Sequence, residues 1–111
     1  MMILDKEQLS QVQQALNDNF STLLDLYFTN SKIQIDEISN WQSNDESPTV
    51  MIAAHTLKSS SANLGLNQLA SQCNLIQSAC EQHQADNIPE LISALSPLDE
   101  ESLSALNSAT T

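Results

Sequence analysis

The stretch that decides the fold is residues 54–66, which read Ala-His-Thr-Leu-Lys-Ser-Ser-Ser-Ala-Asn-Leu-Gly-Leu. At about 100° per residue, this stretch extends one inward-facing helical stripe, formed by Val50, Ala54, Leu57, Ser61 and Leu64. His55 falls off that stripe, toward solvent, and Lys58 and Ser59 follow it about one turn later. The pattern predicts an exposed imidazole in the middle of a helix, beside one cation and among small neighbours.

Start and stop signals place this helix at about residues 48–64. Ser47 and Pro48 combine a capping hydroxyl with proline at the first helical position. Gly65, the single glycine of the chain, suits the left-handed turn that ends a helix. Asn67 is the predicted cap of the next helix, whose core stripe is Leu69, Cys73, Ile76 and Cys80.

Three further helical segments flank this pair. The first opens near Asp5, with Gln8 as its capping-box partner. The second covers about residues 19–41 and keeps an apolar stripe with three-four spacing for more than five turns. The last opens at Pro89, and Pro97 inside it predicts a kink or break near Ser96.

Composition favours one helical domain. With 111 residues, 41% of them hydrophobic, the chain can bury a single core, and one glycine and three prolines are too few for a many-stranded β fold. Short connections between long amphipathic helices predict an all-α fold, an antiparallel four-helix bundle with an additional short N-terminal helix. We expect a single domain over residues 1–111, frayed over residues 107–111.

Charge and cysteine content limit the partners and the compartment. Fourteen Asp and Glu residues against three Lys and no Arg give a net charge of −11, so no basic stripe exists for nucleic acid or an anionic membrane surface. The N-terminal residues lack a secretion signal, and no apolar run reaches the roughly 20 residues of a membrane span. Cys73 and Cys80 lie roughly 10 Å apart along one helix, too far to pair. We expect a reduced, cytoplasmic protein, with both cysteines in the core.

The sequence offers one nucleophile and no catalytic machinery around it. A neutral imidazole at His55 has a free lone pair, and the Lys58 ammonium both favours that neutral form and can balance the charge of a phosphoryl group. We find no glycine loop, no base paired with the nucleophile and no ligands at metal spacing. An exposed nucleophile of this kind predicts a carrier, not an enzyme, whose chemistry is supplied by a partner.

Residues 54–66 resemble the signature of the histidine phosphotransfer (Hpt) domain, an Ala-His-x-Leu-Lys-Gly run followed four residues later by Leu-Gly. The resemblance implies a stand-alone, monomeric intermediate of a bacterial-type His-Asp phosphorelay. His55 would accept a phosphoryl group from the receiver-domain aspartate of a hybrid sensor histidine kinase and pass it to the receiver domain of a response regulator. It also implies no cofactor of its own, because the receiver brings the acidic pocket and the Mg²⁺.

Other positions carry over from the same resemblance. Lys58 matches the family lysine beside the phosphohistidine, and Gly65 matches the glycine at the helix end. Gln77 matches a position on the next helix where the family often has Gln or Glu hydrogen-bonded to the imidazole. Ser59 stands where glycine is usual, and the arginines that many relatives carry near the site are absent. We expect serine to be tolerated there, with an effect on affinity or rate.

Several residues have two interpretations, and the function has more than one. Met51 and Ile52 are either partial core or, with Ala62, a patch for partner docking. Gln77 either tunes the imidazole or fills a surface groove, and His83 is either a helix-end residue or a second phosphorylation site. The alternative function is a non-phosphorylated helical adaptor that binds a receiver or another signalling partner. A helical chaperone or regulatory bundle outside phosphorelays is the third.

Overall fold

Four long helices pack into a bundle, and a shorter helix precedes them. The computed structural model describes residues 3–41, 48–82 and 86–110. Its helices are α1 (Lys6–Leu16), α2 (Phe20–Ser39), α3 (Thr49–Asn63), α4 (Asn67–Glu81), α5 (Ile88–Ser93) and α6 (Leu95–Thr110), with a 3-10 turn at Asn17–Asn19 between α1 and α2. Within those residues there is no strand. The all-α prediction, a four-helix bundle (α2, α3, α4 and α6) with an additional N-terminal helix, is confirmed.

The predicted apolar stripes meet in one core, with α3 packed mainly against α4 and α2. All five predicted inward positions are buried: Val50, Ala54, Leu57 and Ser61 on α3, and Leu64 directly after it. On α2 the buried residues are Phe20, Tyr27, Ser31, Ile35 and Ile38. On α4, Cys73 is buried and Cys80 is half-buried. Since burying one face of α3 leaves the other face open, this packing turns the His55 side of the helix toward solvent.

A glycine turn ends α3. Gly65 adopts φ +83°, its N–H donates to the Ala62 carbonyl at 3.1 Å, and the Leu66 N–H donates to the Ser61 carbonyl at 2.9 Å. These two bonds form a Schellman motif. Asn67 is the first residue of α4, not its cap, because the turn places buried Leu66 directly before the helix. The predicted cap of α3, Ser47, lies outside the described residues.

The start of α1 is tied to that turn. The Gln8 N–H donates to the Asp5 carboxylate at 3.1 Å, as predicted for a capping box. The Gln8 side chain does not complete the box, since its Nε2 donates to the Ala62 carbonyl. The Asp5 N–H donates instead to the Gly65 carbonyl at 2.8 Å. Helix α1 is therefore fastened to the end of α3 by backbone and side chain.

The last segment breaks earlier than predicted and stays helical for longer. The break falls at Ala94, not at Ser96, and Pro97 lies in the first turn of α6. A proline ring clashes with the carbonyl four residues before it, here residue 93, so the helix must end upstream of the proline itself. Residues 107–110, part of the segment expected to be frayed, are helical, and the Thr110 hydroxyl donates to the carbonyl of buried Leu106 at 2.8 Å.

Polar groups interrupt the core between α2, α3 and α6. The Tyr27 hydroxyl and the Ser61 hydroxyl share a hydrogen bond of 3.0 Å, and buried Ser102 donates to the Leu98 carbonyl on its own helix at 2.7 Å. Asp99 is only 8% exposed, and its Oδ1 has no hydrogen-bond partner among the described residues. Burial, reinforced by Glu100 and opposed by Lys32, raises the pKa of Asp99. The sequence pattern did not predict a carboxyl group in the core.

Candidate functional site

His55 stands on the solvent side of α3. Its side chain is exposed, while its neighbour Ala54 is fully buried. One turn further on, Ser59 is exposed, and one turn before, Met51 is half-buried. The ring is therefore accessible to a second protein, as the helical pattern predicts.

One ring nitrogen of His55 is engaged by α4. His55 Nδ1 lies 3.3 Å from Gln77 Oε1, and Gln77 Nε2 donates to Glu81 Oε1 at 3.1 Å. An amide oxygen can only accept a hydrogen bond, so Nδ1 carries the proton in this arrangement. In the neutral ring the lone pair is then on Nε2, the nitrogen that Gln77 does not contact.

Lys58 makes the second polar contact between the same two helices. Its Nζ donates to Asn74 Oδ1 at 3.5 Å, and its side chain is half-buried. Helices α3 and α4 run antiparallel. Lys58, one turn after His55 on α3, therefore faces Asn74, one turn before Gln77 on α4. The two contacts thus hold the imidazole and the ammonium on the same side of α3, about one turn apart.

The two helices that frame His55 carry little charge, although the protein is strongly acidic. Helix α3 contains no Asp or Glu, and α4 contains only Glu81. Lys58 and Glu81 are the only Asp, Glu, Lys or Arg residues between positions 49 and 81, while the whole chain carries a net charge of −11. Thirteen of the fourteen Asp and Glu residues therefore belong to segments other than α3 and α4.

The three predicted docking residues have different surroundings. Ile52 is 58% exposed, an unusual position for a large apolar side chain, and it lies about one turn before His55. Met51 is half-buried. Ala62 is also half-buried, and its carbonyl accepts hydrogen bonds from the Gly65 N–H and the Gln8 side chain. Ile52 thus presents the most apolar surface of the three, whereas Ala62 belongs to the junction with α1.

Gly65 serves the scaffold of the site. A Cβ atom built on it would lie 2.6 Å from the Asp5 carbonyl oxygen, closer than real contacts allow. Its positive φ also disfavours any other residue. Gly65 is therefore required by the turn that ends α3 and receives α1.

Three features of this region were not predicted from the sequence. Asn74 contacts Lys58 directly, and Glu81 is linked to His55 through Gln77. The only sequence signal for either residue is its helical spacing from Gln77. A groove of about 730 Å³ opens between α1, α2 and α3, lined in part by Leu16, Leu26 and Thr56. The groove depends on how α1 packs against α2 and α3, and the apolar pattern of one helix does not predict that packing.

The parts of the chain that the structure describes hold no group of three or more His, Cys, Asp or Glu side chains placed to bind a metal ion. None of the helices in those parts combines the length and the apolar character needed to cross a membrane. His83, the other histidine of the chain, lies outside the described residues.

Comparison with known proteins identifies the family. No curated protein matches the sequence. Among solved structures, the fold matches histidine-containing phosphotransfer protein B (HptB) from Pseudomonas aeruginosa PAO1, with a TM-score of 0.84, 19% identity and coverage of 96% of this chain and 94% of that one. The sequence model of the Hpt domain matches residues 22–109, and Hpt domains carry phosphoryl groups in phosphorelays, where they interact with receiver domains. This match spans most of the sequence, and the chain belongs to the Hpt domain family.

Proposed function

We propose that this protein is a phosphorelay intermediate that accepts a phosphoryl group on His55 from a receiver-domain aspartate of a hybrid sensor kinase. It then passes the group to the receiver domain of a response regulator. The observation that supports this most is the exposed imidazole of α3, with Nδ1 engaged by Gln77 and no hydrogen bond to Nε2 from the residues that the structure describes. The protein acts as a monomeric carrier, and the receiver supplies the acidic pocket and the Mg²⁺.

The proposed step needs no proton transfer. His55 Nε2 forms a bond to phosphorus while the bond between phosphorus and the aspartyl oxygen breaks, and the carboxylate leaves with the bonding electrons. The ring keeps its proton on Nδ1 and becomes cationic. Because Gln77 Oε1 accepts from that N–H, its hydrogen bond strengthens as the positive charge develops.

Lys58 has a supporting role in the same step. Its ammonium, held by Asn74 one turn from His55, can pair with the oxygens of the arriving phosphoryl group. Since the chain has no arginine, this lysine is the one cation between positions 49 and 81. It balances part of the charge that the phosphoryl group brings to the carrier.

The charge distribution fits a receiver as the partner. Receivers present an acidic pocket, and an acidic carrier would be repelled if its own carboxylates surrounded the nucleophile. Apart from Glu81, the helix pair that carries His55 has no carboxylate, and Ile52 adds apolar contact area beside it. The binding of a receiver is then opposed only by long-range repulsion between its acidic pocket and the more distant carboxylates of the carrier. Physiological salt screens this repulsion over about 8 Å.

The test is incubation of the purified protein with a phosphorylated receiver domain and Mg²⁺, with wild type and His55→Gln side by side. Intact mass and acid treatment are measured on both. One acid-labile phosphoryl group on wild type alone supports the proposal. Phosphorylation of both proteins would overturn His55 as the acceptor, and binding to several receivers without any transfer would favour the non-phosphorylated adaptor.

A further inference from the structure

We infer that Glu81 is a positioning residue for the phosphotransfer reaction, because it selects the ring nitrogen of His55 that is free to react. This inference rests on the proposed function. It concerns a group that does not touch the imidazole and acts only through Gln77.

The Gln77 amide could face His55 with either end. With its oxygen toward the ring, Gln77 accepts from Nδ1–H and leaves the lone pair on Nε2. With its amino group toward the ring, it would donate to Nδ1 and thereby favour the tautomer with the proton on Nε2. In that tautomer the outward nitrogen has no lone pair with which to attack phosphorus.

Glu81 removes this ambiguity. An ionised carboxylate only accepts hydrogen bonds, so it can pair with the amino group of Gln77 and not with its oxygen. The 3.1 Å bond from Gln77 Nε2 to Glu81 Oε1 therefore turns the amide oxygen toward His55 Nδ1, 3.3 Å away. One orientation of the amide satisfies both neighbours, and it is the orientation that frees Nε2.

The location of Glu81 supports a role other than helix stability. Glu81 is the last residue of α4, and a negative charge at a helix C-terminus interacts unfavourably with the helix dipole. It is also exposed, so it contributes no buried packing. It is the single carboxylate on the two helices that frame the site, and it is placed four residues after Gln77, within side-chain reach on one helix face.

The sharpest variant is Glu81→Gln. It keeps the length of the side chain and its ability to hydrogen-bond, but a glutamine can both donate and accept, so it no longer fixes the Gln77 amide. Glu90→Gln, at an exposed position of α5, removes the same charge elsewhere and is the matched control. The first readout is the pair of ¹⁵N shifts of the His55 ring at a pH where the ring is neutral, which report the tautomer without any phosphorylation.

In wild type and Glu90→Gln we expect the proton mainly on Nδ1. In Glu81→Gln we expect a mixture of tautomers, and a rate of phosphoryl acceptance about two- to fivefold lower, in proportion to the fraction of ring with a free Nε2. Unchanged ring shifts in Glu81→Gln, or a wild-type proton on Nε2, would overturn the assignment. A failure of wild type to accept phosphate would count against the proposed function instead, and the ring shifts would still decide the role of Glu81.

Discussion

The backbone N–H of Asp5 donates to the carbonyl oxygen of Gly65 at 2.8 Å, which joins the start of α1 to the turn that ends α3. The approach is so close that a Cβ atom on Gly65 would lie 2.6 Å from the Asp5 oxygen. The side chain of Gln8 adds a second link, to the Ala62 carbonyl. The C-terminal end of α3, the helix that presents His55, is thus held by the start of α1. The apolar pattern of either helix alone does not predict this contact.

Gly65→Ala is expected to destabilise the fold by about 2–3 kcal/mol, from the cost of φ +83° in a residue with a Cβ atom and from the loss of the close contact with Asp5. The free energy of unfolding, measured by urea denaturation, checks this. Asn63→Ala, at the exposed last position of α3, is the matched control and should change it by less than about 0.5 kcal/mol. Equal stability of Gly65→Ala and wild type would contradict the account of this turn.

Gln77→Ala should slow phosphoryl transfer about tenfold without unfolding the bundle. The variant loses the acceptor for His55 Nδ1–H, a hydrogen bond to a group that becomes cationic, worth about 1.4 kcal/mol in the transition state. Single-turnover transfer from a phosphorylated receiver gives the rate, and circular dichroism gives the helix content. Gln14→Ala, at an exposed position of α1, serves as the control. Identical rates for all three proteins would leave Gln77 with a structural role only.

Ile52→Asp should lower the rate of transfer about three- to tenfold at low salt and less at high salt. The substitution replaces an exposed apolar side chain near His55 with a charge that repels an acidic receiver pocket. Ser104→Asp adds the same charge to an exposed position of α6 and should have little effect. If both variants slow transfer equally, net charge and not docking at Ile52 explains the loss.

Asp99→Asn should raise the free energy of unfolding at pH 8, because the amide carries no charge to bury. Burial raises the pKa of Asp99, so the fold favours the protonated carboxyl. That contribution is fully present below the pKa of the unfolded chain, about 3.9, and is lost as the pH rises through the raised value. The advantage of the uncharged amide should therefore shrink toward pH 4. Urea unfolding at both pH values checks this, with Glu100→Gln at an exposed position as the control. A lower stability of Asp99→Asn than of wild type at pH 8 would contradict it.

Much of the bundle could be predicted from one chain because helical periodicity is local. The inward positions of α3 follow from a repeat of three and four residues, and all of them are buried. The turn after α3 follows from the only glycine of the chain. The break before α6 was misplaced by two residues because a proline acts on the carbonyl four positions upstream of itself.

The remaining parts of the site depend on the register between helices. Glu81 and Asn74 become relevant only when α4 is aligned against α3, so that Gln77 meets His55 and Asn74 meets Lys58. In the sequence they are two polar residues on a helix with many others. Asp99 was missed for a different reason, because a carboxylate normally indicates an exposed face. Here Asp99 is buried on the same face of α6 as Leu95 and Ser102. Such positions are set by tertiary packing.

The measurement that tests the account most directly is onward transfer from the purified phosphorylated protein to a second receiver. The phosphorylated carrier, freed of its donor, is mixed with an unphosphorylated second receiver domain and Mg²⁺, and the phosphoryl group is followed on both proteins. We predict that it leaves His55 and appears on the receiver aspartate, faster than it is released into solution without a receiver. A phosphoryl group that stays on the carrier, or leaves only as inorganic phosphate at the same rate with every receiver tested, would contradict the carrier function.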